Sequence, residues 1–241
     1  MTKSFFIDTT LCTACRGCQV ACKQWQGLPA EKTVNKGSYE NPPDLSGNTY
    51  KVVRMSEKER NGKLKWFFFP EQCRHCIEAP CLETAEDSSA IYKDKTGAII
   101  FTKKTKDLVA DDIISACPYN VPRVAKNGIL TKCNMCVDRV HNGLKPACVK
   151  TCPTGAMQFG DRSTIVSKAN KSLAKLKRKS SKAQLIDQKD LNVIYLVEDN
   201  PKYYFKNAIA SYKYEGITRQ MAIRKIFRPL TNIIKAVERI G

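Results

Sequence analysis

The chain has 241 residues, of which 42% are hydrophobic. This is enough to bury a core in one domain or two small ones, and it excludes a disordered tail. Lys and Arg number 41 against 23 Asp and Glu, giving a formal net charge of +18, so an acidic subunit, an anionic lipid surface and a nucleic acid are the candidate partners.

The N-terminal part is predicted to form short strands around cysteine loops. A strand at residues 5–8 leads into the first Cys loop, a helix follows over residues 18–25, and the Gly- and Pro-containing segment 36–45 is a loop. Turn residues then indicate two hairpins. Their strands are residues 51–55 and 63–69 around Asn61-Gly62, ending before Pro70, and residues 90–92 and 98–101 around Lys95-Thr96-Gly97.

Further along the chain, a helical stripe of apolar residues predicts a helix over residues 105–116. A hairpin over residues 123–130 and a strand over residues 157–160 follow. Residues 167–182 carry seven Lys or Arg and predict a basic helix. Its charged face is either solvated or docked on an acidic partner; nucleic acid has the weakest support, because no aromatic residue interleaves with the charges.

The last segments are a β-branched strand at residues 193–197 and a basic amphipathic tail. The apolar residues of the tail recur at helical spacing from Ile223 to Val237 and are interrupted at Pro229. Packing on a partner subunit, packing on its own domain and binding to an anionic membrane surface are the alternatives for this tail.

The chain has 12 Cys and only two His, which disfavours metal sites built from imidazole ligands. Structural zinc usually joins two separated Cys pairs around one ion, whereas a [4Fe–4S] cluster needs one thiolate per iron and suits three thiols in a tight loop. Cys-Pro pairs at Cys117 and Cys152 add to the prediction of iron–sulfur clusters, with zinc ribbons and disulfides as alternatives. The motifs are Cys12-x2-Cys15-x2-Cys18-x3-Cys22, Cys73-x2-Cys76-x4-Cys81 with Cys117 apart, and Cys133-x2-Cys136-x11-Cys148-x3-Cys152.

This motif set resembles the iron–sulfur electron-transfer subunits of molybdenum and tungsten oxidoreductases. Five stretches are similar to the small subunit of soluble tungsten- or molybdenum-containing formate dehydrogenases, although the Cys motifs alone would be shared with polysulfide, dimethyl sulfoxide and nitrate reductase subunits. The stretches are residues 12–18 (CTACRGC), 21–25 (ACKQW), 41–45 (NPPDL), 69–76 (FPEQCRHC) and 217–220 (ITRQ).

The resemblance implies three [4Fe–4S] clusters with crossed motif pairing. The ligand sets would be Cys12, Cys15, Cys18 and Cys152; Cys133, Cys136, Cys148 and Cys22; and Cys73, Cys76, Cys81 and Cys117. The family usually has a fourth cluster, but its ligand positions are here Ala85, Asp107, Ala110 and Ile113. We therefore expect a whole cluster to be missing, with an apolar helix face in its place.

The fold implied is α+β, with two ferredoxin-like halves, hairpin insertions and a basic helical C-terminal extension. Residues 1–50 and 127–162 would form the first half and residues 51–126 the second. Residues 163–241 would form the extension, docked on a partner subunit.

The resemblance also implies that the chain has no active site of its own and passes single electrons. Formate oxidation or CO2 reduction would occur on a large partner subunit holding a tungsten or molybdenum bis-pterin cofactor, and a multihaem cytochrome c would be a suitable soluble acceptor. Arg16, Arg74 and His75 lie beside Cys ligands, where they either tune a cluster or are ordinary loop residues, and His141 is expected at the surface.

No apolar run reaches the roughly 18 residues of a membrane span, and Met1–Asp8 lacks the features of an export signal. We expect a periplasmic heterodimer exported with a signal-bearing partner, or alternatively a cytoplasmic complex. Nucleic acid is not expected as a partner. A zinc-stabilised nucleic-acid-binding protein is the remote alternative, supported only by Cys content and basic charge.

Overall fold

The computed structural model describes residues 1–35, 37–60, 62–85 and 87–211, so the predicted amphipathic tail and Asn61 lie outside the described residues. The strands are β1 (Lys3–Asp8), β2 (Val52–Arg60), β3 (Lys63–Glu71), β4 (Ile91–Lys93), β5 (Ile99–Phe101), β6 (Arg123–Val124), β7 (Leu130–Thr131), β8 (Met157–Asp161), β9 (Gln184–Ile186) and β10 (Val193–Val197). The α-helices are α1 (Gly17–Trp25), α2 (Pro80–Glu83), α3 (Ala110–Ser115), α4 (Val137–His141), α5 (Ala147–Lys150), α6 (Arg162–Lys177) and α7 (Pro201–Tyr204).

A four-stranded sheet with the order β8-β1-β10-β9 joins the two ends of the described chain. Strand β1 runs parallel to β10, with Phe5 opposite Val193, and antiparallel to β8. Strand β9, which the sequence did not predict, runs antiparallel to β10. The described residues after 163 thus share a sheet with the N-terminal strand.

Side chains of β1 alternate between two apolar layers, as the period of a strand requires. Phe6 packs with Ile165 and Ala169 of α6, whose lysines lie on its other face. Phe5 and Ile7 point to the opposite side, into a core that also contains thiols from the Cys motifs. The sheet therefore separates the basic helix from the cysteine-bearing side of the molecule.

The three predicted hairpins are confirmed as the pairs β2–β3, β4–β5 and β6–β7. One boundary was wrong: β3 continues through Pro70, which lies opposite Val53. Because β2 and β3 form a two-stranded sheet, every position lies at an edge, where the missing N–H of a proline is tolerated. The Pro70 carbonyl instead accepts a hydrogen bond from the Tyr195 hydroxyl at 2.7 Å.

Two predicted helices need correction. Residues 105–116 do not form one helix: a 3₁₀ turn ends at Asp107, Leu108 is extended, and α3 follows. The buried Thr105 hydroxyl accepts the Leu130 N–H at 3.1 Å, which holds the turn against β7 and prevents a continuous helix. The basic helix begins at Arg162 rather than residue 167, directly after β8, and ends at Lys177.

Candidate iron–sulfur centres

The structure brings the twelve thiols into three groups of four. We call them group A (Cys12, Cys15, Cys18 and Cys152), group B (Cys22, Cys133, Cys136 and Cys148) and group C (Cys73, Cys76, Cys81 and Cys117). Within each group the thiols lie close enough to interact electrostatically.

Group A surrounds a small cavity of about 20 Å³ that is also lined by Val53, Pro70 and Met157. Cys12 and Cys15 lie in the segment between β1 and α1, and Cys18 lies in the first turn of α1. Cys152 follows α5. Cys15 is exposed whereas Cys18 is buried. Group A therefore lies between the core and the surface.

Group B is more deeply placed, since Cys22, Cys136 and Cys148 are all buried. Cys22 lies one helical turn after Cys18 on α1, so a single helix contributes a thiol to group A and another to group B. Cys133 and Cys136 come from the segment between β7 and α4, and Cys148 lies in α5. The first and last motifs are thus interlocked by α1.

Group C surrounds a second small cavity, also of about 20 Å³, whose lining includes Arg74, Tyr119 and Lys132. Cys73 and Cys76 lie in the loop after β3, and Cys81 lies in α2. Cys117 is the second residue after α3. In this group Cys73 is buried, and the other three thiols are partly buried.

The three Cys loops share a backbone geometry that the sequence did not reveal. Two residues after the first Cys of each loop, Ala14, His75 and Met135 have φ between +48° and +63°. Each of these residues directs its N–H at the sulfur of that first Cys, at 3.4 Å in the loops of Cys73 and Cys133. Positive φ is uncommon for residues other than glycine, so the same unusual turn places peptide dipoles on a sulfur in all three groups.

The groups are arranged in the order A, B, C. Cys148 of group B interacts with Cys18 of group A, and Cys133 of group B interacts with Cys73 of group C. One thiol pair therefore spans each of the two gaps, and group B is the middle of the series.

Burial controls the acidity of these thiols. Burial away from water raises the pKa of the Cys12 thiol to about 11 and the pKa values of Cys81 and Cys133 to about 12. Neighbouring thiolates raise the pKa of Cys133 further, through Cys73 and Cys136. Thiols must lose their protons to bind metal, so filling these groups releases protons and requires cationic iron to offset the accumulated charge.

The residues present fit [4Fe–4S] clusters. Each group offers four thiols and no competing imidazole, and groups A and C surround cavities. At group C, Arg74 lines the cavity and its buried Nε has no hydrogen-bond partner among the described residues. In the described part of the chain no three Cys, His, Asp or Glu converge on a single metal ion.

The positions expected for the missing cluster pack as apolar core. Ala79, Ile91, Ile99, Ile113 and Leu130 form a buried set that we call the isoleucine cluster. Two more of those positions, Ala85 and Ala110, pack against it together with Cys76 and Cys81. The expected apolar filling is confirmed, although α3 that supplies it is shorter than predicted, and Asp107 lies in the 3₁₀ turn outside this set.

Arg74 and His75 are not ordinary loop residues. The Arg74 guanidinium is 1% exposed, lies over the Tyr195 ring at 4.5 Å and donates to the Tyr195 hydroxyl at 2.8 Å. His75 is fully buried, and its Nδ1 accepts the Ile99 N–H at 3.0 Å. Burial holds the pKa of His75 well below its usual range, so its ring is neutral.

Arg16 and His141 lie nearer the surface. The Arg16 guanidinium donates to the Tyr39 carbonyl. His141 is confirmed as a surface residue, with its Nε2 at 3.1 Å from an Asp94 carboxylate oxygen.

Comparison with known proteins decides the family. A family model described as "4Fe-4S dicluster domain" matches residues 64–162. The chain is 56% identical over 215 residues to "Formate dehydrogenase subunit beta" of Megalodesulfovibrio gigas, covering 87% of this chain and 100% of that protein. This chain belongs to the family of formate dehydrogenase beta, or iron–sulfur, subunits.

Two other relatives agree. "Formate dehydrogenase 2 subunit beta (cytochrome c-553)" of Nitratidesulfovibrio vulgaris is 48% identical over 216 residues, covering 86% of this chain and 99% of that protein. The nitrate-inducible formate dehydrogenase iron–sulfur subunit of Escherichia coli is 41% identical over 172 residues, covering 71% of this chain and 58% of that protein. As a formate dehydrogenase iron–sulfur subunit, this chain is a non-catalytic electron-transfer protein that uses [4Fe–4S] clusters.

Among the described residues of this formate dehydrogenase iron–sulfur subunit, no helix has both the length and the hydropathy of a membrane span. Sequence reasoning missed two buried lysines, Lys51 and Lys132, which are 2% and 6% exposed. In a chain with 41 Lys and Arg, nothing in the sequence marks these two as different from solvated lysines.

Proposed function

We propose that this subunit holds three [4Fe–4S] clusters, in groups A, B and C, and passes single electrons between a catalytic partner and an external acceptor. The observation that carries the proposal is the unbroken order of the three thiol groups. Cys18 with Cys148, and Cys133 with Cys73, keep neighbouring groups within electrostatic range.

The direction of the series supports distinct roles for its ends. Group A includes the exposed Cys15, which suits an end that faces the catalytic subunit. That partner would hold a tungsten or molybdenum bis-pterin cofactor for formate oxidation or CO2 reduction. Group C would then be the exit towards a soluble acceptor such as a multihaem cytochrome c, and the name of the relative from N. vulgaris, which includes cytochrome c-553, supports this choice and a periplasmic location.

The basic surface supports association with an acidic partner. Three oxidised clusters, each with four thiolates, carry about −6 in total, which leaves the holoprotein basic against the formal +18 of the chain. The exposed face of α6 carries Lys168, Lys171 and Lys175. We therefore infer that residues 163–241 contribute to docking on the catalytic subunit.

Elemental analysis of the anaerobically isolated native complex tests the cluster content. Three clusters predict about 12 Fe and a matching amount of acid-labile sulfide from this chain, in addition to iron of the partner, together with tungsten or molybdenum. Zinc at about three per chain without iron would overturn the proposal.

A Cys76→Ser variant tests the exit role of group C. We expect it to retain formate oxidation by small dyes that accept electrons near the partner's active site, and to lose transfer to the physiological acceptor. Equal loss of both activities would contradict the exit role. Group A provides the comparison, because Cys18→Ser should interrupt the series at its entry.

A further inference from the structure

A lysine ammonium group is buried at each of the two gaps between thiol groups. Lys51 precedes β2 and interacts electrostatically with Cys18 of group A and with Cys148 and Cys133 of group B. Lys132 precedes Cys133, lines the group C cavity, and interacts with Cys133 of group B and Cys81 of group C. The two lysines thus mark the same two gaps that the thiol pairs span.

Neither lysine is neutralised by a carboxylate among the described residues. Lys51 Nζ donates to Gln72 Oε1 at 2.6 Å and to the Pro70 carbonyl at 3.4 Å. Lys132 Nζ donates to the carbonyls of Ile99 and Cys133 and lies 4.6 Å from the centroid of the Phe101 ring. These partners fix the position of each ammonium group but leave its charge uncompensated.

An uncompensated buried charge is costly, so its counter-charge must come from the neighbouring groups. The thiolates of Cys18 and Cys148 lie within electrostatic range of Lys51 and can supply that counter-charge once iron has displaced their protons. The same thiolates become cluster ligands under the proposed function, where each oxidised cluster carries about −2 and gains one further negative charge on reduction.

We propose that Lys51 and Lys132 are electrostatic positioning residues that stabilise the reduced state of the clusters on either side of each gap, Lys51 for groups A and B and Lys132 for groups B and C. This inference rests on the proposed function, because it requires clusters in all three groups. A fixed positive charge favours the more negative state of a neighbour, and the low dielectric of a buried site strengthens that effect. The two lysines therefore raise the reduction potential of group B from both sides.

The test uses the complete complex, isolated anaerobically, with Lys51→Met and Lys132→Met variants. Iron is counted first, and the clusters are then followed by EPR during a redox titration. We expect unchanged iron and, at a fixed potential, about a tenfold fall in the ratio of reduced to oxidised cluster, or about 59 mV for a one-electron couple. Each single variant should shift two of this chain's three titration steps, and the double variant all three.

Lys65→Met is the matched control, because Lys65 is 38% exposed and already paired with Glu198. It should leave all potentials unchanged, since exposed charges are screened. Unchanged iron with unchanged potentials in Lys51→Met and Lys132→Met would overturn the inference while leaving the three-cluster function intact. Fewer than three clusters in the unmodified complex would instead overturn the proposed function.

If a Met variant loses iron, the Lys51→Arg and Lys132→Arg variants show whether the loss comes from the missing charge, because arginine keeps the positive charge. If the Arg variants retain iron and wild-type potentials, positive charge at the gap is required, which supports the inference. If the Arg variants lose iron as well, the lysines act through their shape and hydrogen bonds, and the electrostatic role is refuted.

Discussion

The interior around groups A and B is filled by thiols from distant segments, whereas the interior beside group C is filled by apolar side chains. At groups A and B, the first and last Cys motifs interlock through α1, and thiols from distant parts of the chain meet. Beside group C, positions where the family pattern expects thiols are instead Ala85, Ala110 and Ile113, packed in the isoleucine cluster. Under the proposed function, a bound cluster and a hydrophobic core are thus two ways to fill the interior beside a Cys loop.

Under the three-cluster proposal, the contrast also shows what occupies the positions of the absent ligands. Three of the four positions, Ala85, Ala110 and Ile113, carry apolar side chains that close-pack without a metal, while Asp107 lies outside the set. The isoleucine cluster shows such packing, with Ile91 and Ile113 at most 2% exposed.

The largest expected effect comes from breaking the interlocked groups. Cys22→Ser removes a group B thiol from α1, so we expect the loss of about 4 Fe and a larger fall in the Tm of the complex than Cys81→Ser causes in group C. The reason is that the free energy of metal binding contributes to folding, and group B joins segments far apart in the chain. Iron content and thermal unfolding measure both effects, and an equal or greater fall in Tm for Cys81→Ser would show that interlocking adds nothing.

A charge placed in the isoleucine cluster tests the other side of the comparison. Ile113→Asp buries a carboxylate without a partner at a position that is 2% exposed, so we expect a loss of about 3–5 kcal/mol in the free energy of unfolding. The matched control is Val109→Asp, four residues earlier and 51% exposed at the N-cap of α3.

Val109→Asp should be neutral or slightly stabilising, because Asp is a favoured N-cap residue. Thermal unfolding of the two variants in the same complex provides the measurement. Similar Tm values for the two would mean that the isoleucine cluster does not support the fold around group C.

The sequence predicted the parts of this molecule that depend on local pattern. The short strand at Phe5 to Asp8, the turn at Gly62 and the Cys spacing each carry their signal within a few residues. The end of β3 and the break before α3 depend instead on distant partners, namely the Tyr195 hydroxyl at Pro70 and the Leu130 N–H at Thr105. Such tertiary hydrogen bonds override local propensity.

The candidate site shows the same division. The grouping of thiols was implied by the motifs and the family resemblance, but the burial of Arg74, Lys51 and Lys132 was not, because lysine and arginine side chains are ordinarily solvated. Positive φ at Ala14 and Met135 was also hidden, since neither residue type favours that conformation.

The shared loop geometry gives a prediction of intermediate size. Ala14→Val places a β-branched side chain at φ of +54°, and we expect it to cost about 1–2 kcal/mol in the free energy of unfolding. Ala14→Gly should stay within about 1 kcal/mol of the wild type, because glycine adopts this conformation readily. Equal stability of the two variants, measured by thermal unfolding, would contradict a role for the left-handed turn.

The smallest expected effect concerns the surface contact between His141 of α4, near group B, and the carboxylate of Asp94, after β4 beside group C. His141→Ala should lower the free energy of unfolding by less than about 1 kcal/mol, because the pair is partly exposed. Asp94→Ala should cost more, because Asp94 also accepts the Thr96 N–H at 2.8 Å and the Thr96 hydroxyl at 2.6 Å, which hold the turn at Gly97.

Burial raises the pKa of Asp94, but the Thr96 hydrogen bonds and His141 outweigh that effect and lower it below its usual 3.8. The contribution of the carboxylate is therefore complete above about pH 4 and would be lost as the pH falls through the lowered value. Thermal unfolding at pH 7 thus compares the two variants with Asp94 fully charged. If His141→Ala cost as much as Asp94→Ala, the His141 contact rather than the turn would hold the β4–β5 hairpin, and the surroundings of groups B and C would be joined at the surface as well as by buried contacts.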